Sequence, residues 1–294
     1  MDLVRFLAHT FCCPPFPSRI AAKIAFHPPT PPSYKVKQTQ EKGIECIFNE
    51  EMCKIEPDEL AYTQMKIWNT SLGNRITVMH ISPFRRPRCT LLCSHGNAGD
   101  LGLLYECYLM LARRLHCNVV CYDYSGYGGS SGRPSEADLY ADVEAAWDCT
   151  LNGFFVPMER IVLYGHSIGT VASLYLACLV QTRGLILVAP LASGLHFLFA
   201  PRKMKRFGVF FNKYYILGIC SLGRISKVKC PTLIVHGEAD TIVHVEHSRL
   251  LAAKARSDIT DVFFIPHVGH NDIELMPDFF KYLKNFLNKV APFD

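Results

Sequence analysis

Gly165-His166-Ser167-Ile168-Gly169 is a G-x-S-x-G pentapeptide. A serine in this frame can act as a nucleophile if the chain turns sharply at it and a base stands beside it. Side chains at Gly165 and Gly169 would collide across such a turn, and the turn forces the serine into a strained backbone conformation. Two later stretches offer the base and the acid that orients it. His267-Val268-Gly269-His270-Asn271-Asp272 holds two histidines. His270 is favoured over His267 because Gly269 lets the loop carry its ring over the serine. His236-Gly237-Glu238-Ala239-Asp240 holds two carboxylates. Asp240 is favoured over Glu238, which stands closer to the preceding strand. A fourth stretch, His95-Gly96-Asn97-Ala98-Gly99-Asp100, carries glycines that let backbone N–H groups turn inward. The amides of Asn97 and of Ile168, the residue after the serine, are the candidate oxyanion donors. The chemistry these residues could do is acyl transfer to Ser167, with His270 as base and Asp240 behind it. It requires no metal or cofactor.

These residues must sit on elements that bring them together. Arg160 to Tyr164 is short, apolar and β-branched, and reads as a buried strand; Thr170 to Gln181 reads as a helix. Ser167 is therefore expected on a strand-to-helix turn. Ile44 to Phe48, Ala61 to Trp68 and Arg75 to Ile81 read as strands, with a hairpin turn at Ser71 to Asn74. After them strands and helices alternate. Strands are expected at Cys89–Ser94, Asn118–Tyr122, Ile161–Tyr164, Gly184–Val188, Thr232–His236 and Asp261–Ile265. Helices are expected at Leu101–Leu115, Pro134–Leu151, His244–Ala255 and Pro277–Val290. Antiparallel strands followed by repeating β-α units argue for an α/β fold. Its central sheet is mainly parallel, with helices on both faces. Reactive loops then fall at the carboxyl ends of the strands. The order Ser167, Asp240, His270 is that of the α/β-hydrolase fold.

The chain has 294 residues, 49% of them hydrophobic and 19% charged, which suits one large domain. The 13 cysteines lack the paired spacing of a zinc site and mostly fall in apolar runs, as small buried hydrophobes. No run of 18 apolar residues predicts a spanning helix. The net charge of +5 is unevenly placed: residues 192–229 hold eight basic residues and no acidic one. The remainder carries 23 basic against 26 acidic residues. This segment interrupts the β-α repeat and reads as a small cap over the site. Its basic residues are interleaved with aromatic ones such as Phe197, Phe207, Phe211 and Tyr215. That mixture suits an anionic membrane surface, or aromatic cover for the site, and argues against nucleic acid. A monomer is expected.

Residues 1–43 read as an N-terminal tail and 44–294 as the hydrolase domain. The tail holds Cys12-Cys13 beside apolar and basic residues, a setting for S-palmitoylation; incidental thiols on a disordered tail are the alternative. Asp2 excludes N-myristoylation.

Cys12-Cys13-Pro14-Pro15, Arg19 to Lys23, His95 to Asp100, Asp123-Tyr124-Ser125-Gly126-Tyr127-Gly128 and the Gly165 to Gly169 turn together resemble the alpha/beta hydrolase domain-containing protein 17 family. The resemblance runs over nearly the whole chain. It implies a membrane-associated serine hydrolase that removes palmitate from cytoplasmic protein cysteines. It implies that Ser167, Asp240 and His270 form the triad, that Cys12 and Cys13 are acylated, and that the partners are S-palmitoylated proteins at the cytoplasmic face of membranes, the plasma membrane and endosomes among them. A lipid esterase of monoacylglycerol-lipase type would use the same triad. A non-catalytic hydrolase-fold scaffold is the third reading, and the intact triad argues against it.

Overall fold

The structure is a computed structural model, and it describes residues 25–39, 43–49, 51–53, 55, 57–193 and 221–293. Cys12, Cys13 and residues 194–220 of the expected cap lie outside the described residues. At its centre is an eight-stranded sheet. In chain order the strands are β3 (Thr63–Asn69), β4 (Arg75–Ile81), β5 (Thr90–Ser94), β6 (Asn118–Tyr122), β7 (Ile161–His166), β8 (Gly184–Val188), β9 (Thr232–Gly237) and β10 (Thr260–Ile265). They lie in the order β10-β9-β8-β7-β5-β6-β4-β3. Pairing is antiparallel from β3 to β4 and from β4 to β6, and parallel everywhere else. Two further strands, β1 (Tyr34–Thr39) and β2 (Gly43–Phe48), form a separate antiparallel pair.

Both faces of the sheet are covered, which is why its parallel strands are apolar without alternation. One core holds Ile161 and Leu163 of β7 with Leu139 and Val143 of α2 (Glu136–Asp148) and Val171 and Leu174 of α3 (Gly169–Ala177). The other holds Val162 and Tyr164 with Tyr105 and Leu109 of α1 (Leu101–Leu115) and Phe279 and Leu283 of α5 (Pro277–Val290). The remaining long helix, α4 (Glu246–Lys254), adds Leu251 to the first core. Local signals fix the ends. Asp100 caps α1 by accepting from the Leu103 amide at 3.1 Å, Ser135 caps α2, and Pro277 opens α5 where no N–H is needed. The α/β-hydrolase architecture expected from the sequence is the one observed.

The tail boundary at residue 43 needs correction. Phe26, Ser33 and Tyr34 are buried in the domain. The Ser33 amide donates to Asp100 at 2.8 Å, its hydroxyl donates to the same carboxylate, and the Tyr34 hydroxyl donates to Asp123. The folded body therefore includes residues 25–39. One member of the basic segment packs on the domain: the half-buried Arg224 lies 4.6 Å over the ring of Tyr140 and donates to its hydroxyl at 2.7 Å.

Asp123 is fully buried, and the basic side chain recorded against it among the described residues is His95, whose Nε2 lies 3.5 Å from Oδ1 and whose own pKa burial lowers to about 4. Burial pushes the Asp123 carboxyl up to about 8, against the donors Tyr34 and the Leu101 amide. A carboxyl raised from 3.8 keeps a proton that the unfolded chain releases. Its contribution to stability is full below about pH 4 and is lost as pH rises through 8. The urea midpoint of the wild type should therefore fall more steeply between pH 5 and 8 than that of Asp123→Asn. Equal slopes would show that Asp123 is ionised throughout.

Candidate active site

β7 is flanked by β5 and β8, and the chain reverses abruptly at its carboxyl end. Ser167 sits at that reversal with φ of 53°, a value L-residues rarely adopt. Its amide donates to the Val188 carbonyl at 2.9 Å, and its carbonyl accepts from the Thr170 amide at 3.1 Å. The two glycines of the pentapeptide are required by close approach. A Cβ at Gly165 would stand 2.7 Å from the Gly169 carbonyl oxygen. A Cβ at Gly169 would overlap the Ser94 carbonyl and stand 2.7 Å from that of His95. The turn thus rests directly on the end of β5, where the His95–Asp100 loop begins.

The loops after β9 and β10 meet beside it. The Glu238 amide donates to Ile265 at 2.9 Å and the Ala239 amide to Val268 at 3.0 Å, and a side chain at Gly237 would overlap the Val268 carbonyl. This contact brings His270 to Ser167, with Nε2 3.0 Å from Oγ, while Nδ1 lies 2.6 Å from Asp240 Oδ2. All three side chains are buried: Ser167 is 7% exposed, Asp240 3% and His270 8%. Since Asp240 accepts, Nδ1 of His270 carries the proton and Nε2 presents a lone pair to the serine hydroxyl.

Asp240 is satisfied on both oxygens. Oδ1 accepts from the amides of Ile242 and Val243, each at 2.8 Å, and Oδ2 also faces His236 Nε2 at 3.1 Å. Burial alone would raise its carboxyl. The hydrogen bonds from His236 and His270, with the Val243 amide, outweigh burial and hold it well below the usual carboxylate range. His236 Nε2 lies between Asp240 and the Val243 carbonyl at 2.8 Å, so it bears a proton, and Nδ1 is hydrogen-bonded to the Ser248 hydroxyl at 2.6 Å. His236 is a member of the site that the spacing did not single out. Its signal was its place four residues before Asp240, at the end of the same strand.

The rivals from the sequence stand elsewhere. Glu238 is exposed and paired with Arg249 at 3.6 Å, and His267 is exposed at φ of 61°. His166 is packed against His270: the two rings stack with centroids 5.2 Å apart, and burial lowers the pKa of His166. Its Nδ1 would lie 3.1 Å from a Cβ at Gly96, so glycine there leaves room for the ring. Ile168 begins the first turn of α3, where amides have no helical partner. Among the described residues nothing accepts from the amides of Ile168 or Asn97.

A strand-to-helix turn carrying a serine, with a histidine and a carboxylate from the next loops, defines an α/β hydrolase. The family model described as "Alpha/beta hydrolase family" matches residues 91–218. Solved structures agree on the fold: the Pyrococcus furiosus esterase Pf2001 superposes with TM-score 0.65 at 16% identity, covering 81% of this chain and 96% of its own. The alpha/beta hydrolase GrgF from Penicillium sp. superposes with TM-score 0.63 at 17% identity, covering 79% and 99%. Curated relatives are closer in sequence. Alpha/beta hydrolase domain-containing protein 17C of Xenopus laevis is 38% identical over 97% of this chain and 94% of its own length. Protein 17B of Homo sapiens is 36% identical over 95% and 94%, and aho-3 of Caenorhabditis elegans 37% over 96% and 81%. The chain belongs to the alpha/beta hydrolase domain-containing protein 17 family.

Replacing Gly169 by alanine should cost more than about 3 kcal/mol, because the Ser94 and His95 backbone occupies the place of the methyl group and cannot swing aside. Gly73→Ala meets open space and only the strain of φ +84°, so about 1 kcal/mol is expected there. Denaturant midpoints of the two variants check the difference.

Proposed function

We propose that this hydrolase is a serine hydrolase that cleaves acyl esters and thioesters, and that its substrates are S-palmitoylated proteins at the cytoplasmic face of membranes. The observation that carries the reading is the unbroken hydrogen-bonded chain from Asp240 through His270 to Ser167. In the first step Ser167 Oγ attacks the acyl carbon while its proton passes to His270 Nε2. Asp240, ionised at neutral pH, stabilises the imidazolium. The amides of Asn97 and Ile168 receive the oxyanion, each contributing about 3–4 kcal/mol in a dry site. The tetrahedral intermediate collapses with cleavage of the C–S or C–O bond, and His270 returns the proton to the leaving thiol or alcohol. Water, activated by the same histidine, then releases the fatty acid.

The palmitoyl-protein part of the reading rests on family resemblance, on Cys12-Cys13 as a candidate anchor, and on the basic-aromatic segment 192–229 as a candidate contact with anionic lipid. Arg224 is taken up by Tyr140, which leaves the exposed Lys227 and Lys229 as the described members of that segment free of side-chain partners among the described residues.

Ser167→Ala should abolish labelling by a fluorophosphonate probe and hydrolysis of palmitoyl-cysteine peptides, and Asp240→Asn should lower kcat by about 10⁴ through loss of the correct tautomer. In cells, Ser167→Ala should slow palmitate turnover on peripheral membrane proteins. Unchanged turnover would sink the thioesterase reading. Activity confined to glycerolipids in a substrate panel would replace it with a lipid esterase. Replacing Cys12 and Cys13 by serine should move the protein to the soluble fraction, and retention on membranes would remove the tail from the anchor.

A further inference from the structure

The loop that supplies the Asn97 amide is held at both ends by groups from distant parts of the chain. Asn97 Oδ1 accepts from the His27 amide at 2.8 Å and from the Tyr127 hydroxyl at 2.7 Å. Because the His27 amide can only donate, the carboxamide oxygen must face it, and this fixes the side-chain orientation. Tyr124 ties the start of the loop by donating to the His95 carbonyl at 2.6 Å. At the far end, Ser33 satisfies both oxygens of Asp100, the cap of α1. Tyr34 donates to Asp123, whose other oxygen accepts from the Leu101 amide at 3.1 Å. Among the described residues neither acid has a lysine or arginine partner; Asp100 also accepts from the Leu103 amide at 3.1 Å, and Asp123 lies 3.5 Å from His95 Nε2. Removing a donor from a buried carboxylate leaves an acceptor short of partners, and the surrounding backbone must shift to find another.

We propose that residues 27–34 and Tyr127 form a brace for the oxyanion loop, with Ser33 and Tyr127 as positioning residues that set the Asn97 amide against Ser167. The proposal rests on the serine-hydrolase reading above. An oxyanion donor works only within about 2.7–3.1 Å of the developing charge. A misplacement of about 1 Å can cost on the order of 10²-fold. The brace therefore acts on the transition state and leaves ground-state binding alone.

The test uses the full chain carrying Tyr127→Phe, Ser33→Ala, or both. Turnover of p-nitrophenyl octanoate is measured with inhibition by an alkyl trifluoromethyl ketone, whose serine adduct bears an oxyanion. Each variant should lose about tenfold in kcat, keep KM within about twofold, and weaken the ketone by the same factor as kcat. Hydrogen exchange of the 95–100 amides should quicken while the α5 amides keep their rates. A kcat within about twofold of wild type overturns the brace, and so does a fall in kcat with ketone inhibition unchanged. Tyr127→Phe removes one oxygen atom and keeps the ring, so it carries the test if Ser33→Ala fails to fold. If Ser167→Ala retains wild-type turnover, or wild type has none, the hydrolase reading falls. The brace is then decided by hydrogen exchange alone, and unchanged exchange at 95–100 in both variants overturns it.

Discussion

L-residues avoid positive φ because Cβ crowds the neighbouring carbonyl, at a cost of about 1–2 kcal/mol, yet Ser167 is held at 53°. Nothing at the serine itself offsets that cost; its surroundings do. Gly169 lies against the carbonyls of Ser94 and His95, so the turn cannot relax without breaking contact with the strand that feeds the His95–Asp100 loop. The Ser167 turn and the His95–Asp100 loop are thereby parts of one close-packed backbone, and their separation is set by van der Waals contact. The parallel pairing of β5 with β7 makes this possible, since it ends both strands at the same edge.

Buried carboxyls are used here in two opposite ways. Asp240 has two amides and two imidazoles directed at it and is kept ionised. Asp123 and Asp142 lie equally deep among hydroxyls and amides, and burial raises both, to about 8 and about 7. The first arrangement is electrostatic and suits the stabilisation of a charge that appears during reaction. The second is structural: Asp142 accepts from the amide and hydroxyl of Ser125, each at 2.7 Å, and so fixes the Asp123–Gly128 loop from beneath. Depth alone does not decide the protonation state of a carboxyl; the number and charge of its donors do.

Much of this was legible in the sequence because it is encoded locally. Asp100 and Pro277 mark helix starts with their own side chains, and the glycines at 165 and 169 announce a turn that only they permit. The choices of His270 over His267 and Asp240 over Glu238 rested on loop reach; the structure puts His270 3.0 Å from Ser167 and 2.6 Å from Asp240, while His267 and Glu238 are exposed. Residues 25–39 were read as tail because prolines at 28, 29, 31 and 32 suggest extended chain, which says nothing of what the chain packs on. The partners of Ser33 and Tyr34 lie 67 and 89 residues away, beyond any local pattern. Tyr127 was missed for the same reason, since its hydroxyl bonds Asn97 on another loop; His236 stands only four residues from Asp240, but the spacing alone does not say that its ring turns back to it.

The path of the N-terminal segment also determines how the site meets its surroundings. The described chain begins with Ala25 and the buried Phe26, and His27 is bonded to Asn97 in the His95–Asp100 loop. Thirteen residues join Cys13 to Phe26, a reach of at most about 45 Å at full extension. An acyl anchor at Cys13, as proposed, would therefore be a short leash, no longer than that to Phe26. For an anchored enzyme, encounter with substrate on the same surface becomes a two-dimensional search with the catalytic edge confined near it. Affinity for the free substrate then matters less than the length and attachment point of the leash.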